Sequence, residues 1–185
     1  NPSLVGSEMC IRDRHHIELG SDAVVIPTPE GDASAPMILL PNASGIEYAD
    51  FVLDPQSQKG LLRDIGSIEP PVARGAAWTT LWEEVQAGRL EAESFLTTVL
   101  RELPAEQNEL IINRLLDTLD ESYWLRLDAQ ARLAVSVPLE TILWREVESP
   151  LRSISARAAF YRSYRALATT YTCLLYTSPS PRDSD

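Results

Sequence analysis

Near residue 54 the spacing of apolar residues changes from two to between three and four, and it does not change back. From that point only helices can gather the apolar side chains onto a common face. Asp54-Pro55 predicts the switch point itself, an N-cap followed by proline at the first helical position. Trp78, Leu81, Trp82 and Val85 then recur at i, i+3, i+4 and i+7, with Gly88 placed to end a helix in the left-handed conformation. Phe95, Leu96, Val99, Leu100 and Leu103 make a second stripe stopped by Pro104, and Ile111, Ile112, Leu115, Leu116 and Leu119 a third. Trp124, Leu127, Ala131 and Ala134 predict a fourth helix closing near Pro138, and Leu139, Ile142, Leu143 and Val147 a fifth.

Ser149-Pro150 predicts the cap of the last helix. Phe160, Tyr164, Leu167 and Tyr171 line one side of it, and Ile154, Ala158, Tyr161 and Ala168 another. A helix apolar on two sides expects neighbours on both. With the outer neighbours missing from the chain, Phe160, Tyr161, Tyr164 and Leu167 are expected to be partly uncovered. Short connections make successive helices antiparallel, and helix starts near 70, 105 and 138 give a spacing that resembles a HEAT or armadillo-like array.

Before the switch, Ala23–Ile26, Met37–Leu40 and Tyr48–Leu53 read as short strands separated by Pro27–Asp32 and Pro41–Gly45. So few strands cannot form a core alone, so they read as the end of a β-sandwich whose beginning is missing. The expected fold is therefore mainly α: an antiparallel helical array over 55–172, preceded by the last strands of a sandwich over 15–54.

The outermost segments stand apart. Residues 1–14 and 173–185 resemble translated sequencing-adapter read-through, of the kind found at the ends of open reading frames from environmental assemblies, which implies that they take no part in the fold. Both cysteines, Cys10 and Cys173, fall in them, leaving no disulfide and no thiol nucleophile. The ends hold Glu8, Asp13, Asp183 and Asp185 against Arg12, Arg14 and Arg182, so the acidity of the chain lies elsewhere.

Sixteen basic against 27 acidic residues give a net charge of −11, which argues against nucleic acid as a partner. The apolar runs reach only four or five residues, too short for a membrane span, which needs about 20. His15 and His16 are the only histidines, and neighbours on a strand point to opposite faces, so they cannot grip one ion. No metal site, triad, phosphate loop or dinucleotide motif follows, and no catalytic residue can be named. Glu83-Glu84, Glu91 and Glu93, and Asp117, Asp120 and Glu121 read as solvated helix faces. Asn42-Ala43-Ser44 matches a glycosylation sequon but reads better as a turn before Gly45.

Charge is unevenly spread. Acids far outnumber bases over 83–148, whereas 151–172 holds Arg152, Arg157, Arg162 and Arg165 and no acid. Two readings stand: a basic wall for a carboxylate such as a peptide C-terminus, with Arg157, Arg162 and Arg165 as candidate substrate-binding residues, or a last helix that pairs its arginines with the acidic helices before it.

Leu40-Pro41-Asn42, Gly45, Tyr48, Phe51, Leu53 and Asp54, followed by Arg74, Trp78, Leu81, Trp82 and Gly88, resemble the end of the β-sandwich and the first C-terminal helices of aminopeptidase N family zinc metallopeptidases, in the part related to the endoplasmic-reticulum aminopeptidases. Asn108-Glu109, Trp124 and the run Arg157–Thr170 are similar to later helices of the same domain. Ile46-Glu47 departs from the pattern by separating Gly45 from Tyr48. The resemblance implies a parent enzyme that releases N-terminal residues from peptides with one zinc ion, and a helical domain that covers its cleft. The zinc ligands, the catalytic Glu and the exopeptidase motif have no counterpart here, so the segment is expected to bind no metal and to be inert alone. It would pack on a missing catalytic domain and missing C-terminal helices. The alternative is a self-contained helical-repeat module for a protein partner. Neither reading fixes a cellular compartment.

Overall fold

The computed structural model describes residues 38–46 and 49–170. Among them are six α-helices and no strand: α1 (Pro55–Asp64), α2 (Pro71–Gln86), α3 (Ala92–Glu102), α4 (Glu109–Leu125), α5 (Ala129–Glu148) and α6 (Ile154–Leu167), with a 3-10 turn at Ile65–Ser67.

Four of the helices start on a side chain that satisfies otherwise orphaned backbone N–H groups. Asp54 accepts from Gln56 and Ser57, Asn108 from Leu110 and Ile111, Asp128 from Ala131, and Ser153 from Ala156. Each such cap is worth about 1 kcal/mol. α2 ends as expected at Gly88, whose φ of 72° is left-handed. Its closing bonds run from Arg89 N to Glu84 O at 2.8 Å and from Gly88 N to Val85 O at 3.1 Å, the paired pattern of a Schellman turn. The Glu84 side chain adds to the same joint, accepting Arg89 Nε at 2.8 Å and Gln58 Nε2, from α1, at 3.1 Å.

The stripes read from the sequence form one continuous core. Trp78 and Trp82 of α2 close on Phe95 of α3 at ring distances of 6.0 and 5.5 Å, and Leu61, Leu103, Leu115, Leu119, Leu139 and Leu143 are buried around them. Each large apolar side chain so buried contributes about 1.5–3 kcal/mol. The main packing joins helices one and two places apart in the sequence: α2 on α3 and α4, α4 on α6, and α5 on α6.

Several boundaries differ from the sequence reading. α4 runs on to Leu125, so Trp124 ends it instead of opening a new helix. α5 then passes straight through Pro138. Proline removes one backbone bond, to Ala134 O, but Leu139 and Leu143 are fully buried beyond it and Val135 packs on the core before it, so tertiary packing holds both halves. Ser149 closes α5, and Ser153, not Ser149, caps α6. The starts of α2, α4 and α6 at 71, 109 and 154 are unevenly spaced, unlike the regular pairs expected.

The strand readings fare differently. Ala23–Ile26, Met37 and Tyr48 lie outside the described residues, as do residues 1–14 and 173–185 and Tyr171. The remainder, 38–40 and 49–53, form no strand. This part of the chain bonds to helices instead: Leu39 N donates to Ser57 Oγ at 2.8 Å, and in the following turn Asn42 Oδ1 accepts from Thr80 Oγ1 at 3.1 Å. The turn before Gly45 is present, closed by Gly45 N to Asn42 O at 2.9 Å with Gly45 at φ 74°.

The last helix also differs from expectation. Phe160, Tyr164 and Leu167 are buried against α4 and α5, and only Tyr161 of the four is exposed. Trp144 of α5 covers Tyr164 with ring centroids 5.0 Å apart. The inner side of α6 therefore has the neighbours it needs.

Candidate functional site

Two surfaces and one buried network carry the polar chemistry of the described residues. The first surface is the outer side of α6. At 100° per residue, Phe160, Ser163, Tyr164 and Leu167 point inward, Ile154, Ala158, Tyr161 and Arg165 share the outer side, and Arg157 and Arg162 lie at its two edges. The last six are all exposed. Ile154 is 86% exposed and Tyr161 42%. Arg157 Nε donates to Val147 O at 2.6 Å and so caps the end of α5. Arg162 and Arg165 make no hydrogen bond or ion pair with any described residue.

The arginine run thus divides between the two sequence readings. Arg152 pairs with an acidic helix, since its Nε donates to Glu146 Oε2 at 2.7 Å. Arg157, Arg162 and Arg165 are all exposed, on a helix that carries no acid. They can take a carboxylate by guanidinium hydrogen bonding.

The second surface, missed in the sequence, is a groove of about 520 Å³ between α2, α4 and the 42–51 segment. Gly75, Ala76 and Ile111 line it, Val72 and Leu110 stand exposed beside it, and Glu83 and Arg114 are its charged members. The volume falls in the range of ligand pockets, about 300–1,000 Å³, but the groove is open to solvent along its length. Its only sequence signal was that Val72 and Leu110 sit outside the core stripes of their helices.

The buried network was equally invisible. Arg152 bridges α5 to the α3–α4 connection: besides Glu146 it donates to the carbonyls of Pro104 at 2.8 Å, Leu103 at 3.3 Å and Glu106, and its guanidinium lies 5.4 Å from the Phe160 ring centroid. The Glu106 side chain, in turn, receives both arms of Arg74 at 2.7 and 2.9 Å and the N–H groups of Gln107 and Asn108. Burial pushes the Glu106 carboxyl up, but Arg74 and those two N–H groups outweigh it and leave it below the ordinary carboxylate range. Asp120 goes the other way. Burial, with the nearby Asp117 charge, raises its carboxyl against the opposing hydrogen bond from Ser163.

None of this is a catalytic constellation. No group of three metal-ligating side chains comes together among the described residues, and His15, His16, Cys10 and Cys173 lie outside them. No described helix is long and apolar enough to cross a membrane. Comparison with protein-family models, curated proteins and solved structures finds no match for the chain.

Proposed function

We propose that the chain is part of the helical domain of an aminopeptidase N family zinc metallopeptidase, the part that walls the cleft where N-terminal residues are released from peptides. One observation supports the reading: several residues that carry the sequence resemblance have structural tasks around α1 and α2. Asn42 holds Thr80 of α2, Gly45 turns the chain, Asp54 starts α1, Trp78 and Trp82 pack on Phe95, and Gly88 closes α2. The packing of α2 on α3 and α4, and of α4 and α5 on α6, is compatible with a HEAT or armadillo-like array of uneven repeat length.

In this reading zinc belongs to another domain of the parent enzyme. The described residues do not fit the ion, since no histidine or cysteine occurs between 17 and 172 and their carboxylates are dispersed or engaged. The chain supplies surface for peptide, with Arg157, Arg162 and Arg165 as candidates to pair a substrate carboxylate, and no step of the hydrolysis. The second reading, a self-contained helical module for a protein partner, is favoured by the burial of Phe160, Tyr164 and Leu167, by which α6 completes its core without further helices.

The test is genetic and enzymatic together. The reading frame upstream should continue into a His-Glu-x-x-His helix, and the purified chain should show no turnover of amino-acyl chromogenic substrates and no stoichiometric zinc. A frame without that helix leaves the module reading; turnover by the chain alone defeats both.

A further inference from the structure

The geometry points to the outer side of α6 as a docking strip for an acidic amphipathic helix of a partner protein. The inference rests on the self-contained helical-module reading, since in the aminopeptidase reading this side of α6 would meet the following helices. The strip has the layout of a helix–helix seam. Ile154, Ala158, Tyr161 and Arg165 follow one another at steps of four, three and four, the spacing that keeps a side chain facing a partner helix, and Arg157 and Arg162 flank that line. Ala158 in the middle is small and exposed, which lets a second backbone approach. Ile154 and Tyr161 are its large exposed apolar side chains, and Tyr and Arg are the side chains over-represented where interfaces concentrate their affinity.

Charge selects the partner. The chain carries a net charge of −11, yet this strip holds three arginines and no acid. Arg165 lies in the last turn of α6, where the helix dipole favours a cation, and Arg157 caps α5, but neither duty accounts for Arg162 or for the clustering of all three. A single carboxylate is satisfied by one guanidinium fork, whereas Arg157 and Arg165 are eight residues apart, about 12 Å along the helix axis. Guanidinium groups spread over that length, on both edges of the seam, match carboxylates flanking the seam of a second helix better than one peptide C-terminus. The acidic remainder of the molecule opposes the partner little, because charges beyond about 8 Å are screened at physiological salt. A flat anionic membrane would meet more of that acidic surface than a slender helix does, which disfavours it.

The experiment uses the full chain and a fluorescent 21-residue synthetic helix with leucine along one side and glutamate flanking it, read by anisotropy at 50 and 300 mM salt. Its counterparts are the same peptide with lysine for glutamate, a short unstructured peptide with a free C-terminal carboxylate, and phosphatidylserine vesicles. The acidic helix should bind and the lysine helix should not. R162E/R165E should weaken the acidic helix at least about tenfold and confer binding on the lysine helix, and I154S/Y161S should weaken binding by a similar factor. Arg157 is left intact in both variants because of its bond to Val147, and circular dichroism must show wild-type helicity. Equal binding of both peptides, no effect of I154S/Y161S, preference for the short carboxylate peptide or the vesicles, or self-association of the chain through this strip in sedimentation would each overturn the proposal.

Discussion

Replacing Arg152 by methionine removes a cation that three parts of the chain share. Its side chain is 5% exposed and that of Glu146 8%, so the substitution leaves a buried carboxylate beside only Arg145, whose Nε is 3.3 Å away on a side chain 61% exposed. The carbonyls of Leu103, Pro104 and Glu106 lose a donor as well. Breaking a buried pair from one side costs about 3–5 kcal/mol. With a urea slope of about 2 kcal/mol per molar, the unfolding midpoint should fall by about 1.5–2.5 M. R152M/E146L removes both charges and should regain at least half of that loss, because the stranded carboxylate accounts for most of it. Arg152→Lys keeps the charge but not the planar fork, and should lie between. Urea titrations followed by circular dichroism give all three, and if R152M does not fold, the other two still order themselves against wild type. A midpoint shift under about 0.5 M for R152M, or a double variant no better than the single, would refute the assignment of Arg152 as the tie between α5 and the α3–α4 connection.

Other consequences follow from single residues. Glu106 titrates below its unfolded value, so the stability it supplies is present above the ordinary carboxylate pKa and is lost as pH falls through its folded one; E106Q should therefore lower the neutral-pH midpoint and flatten the acid limb below about pH 4.5. Asp120 titrates above its unfolded value, so its ionised form opposes folding; Asp120→Asn should raise the midpoint at pH 7, with the gain vanishing in acid. Gly88→Ala should cost about 1–2 kcal/mol from its positive φ alone, since a Cβ at that position would meet nothing within 4 Å, whereas Gly75→Ala, whose Cβ would sit 3.7 Å from Ile111, should gain up to about 1 kcal/mol. Pro138→Ala should stabilise α5, by up to about 3 kcal/mol if the freed N–H reaches Ala134 O. Ser122 Oγ is buried with no hydrogen-bond partner, so Ser122→Ala should be neutral or stabilising by up to about 1 kcal/mol in thermal melts.

Local signals in the sequence served well wherever the physics was local. Asp54-Pro55, Gly88 and the Trp78 and Phe95 stripes depend on residues within a few positions of each other, and the structure has each where the spacing put it. Pro138 misled because its penalty is local while the packing of Leu139 and Leu143 that overrides it is not. Ser149 misled because two serines compete for the cap of α6 and only the arrangement of the α5–α6 turn decides between them. The outer side of α6 was legible as a second apolar stripe with arginines; that its inner side would be fully covered was not, since α4 supplies that cover from about 40 residues earlier in the chain. The Arg74–Glu106 and Arg152–Glu146 pairs and the groove at Gly75 join residues that no spacing rule connects.

Glu84 has a consequence for how the molecule opens. Its backbone oxygen ends α2 and its carboxylate reaches α1 through Gln58, so α1 cannot swing away without also loosening the turn at Gly88. The amide protons of Arg89 and Leu90 should then exchange with deuterium at the same rate as those in the middle of α1, as a single cooperative event, and this corner of the molecule behaves as a weld where a connection of its length would otherwise make a hinge.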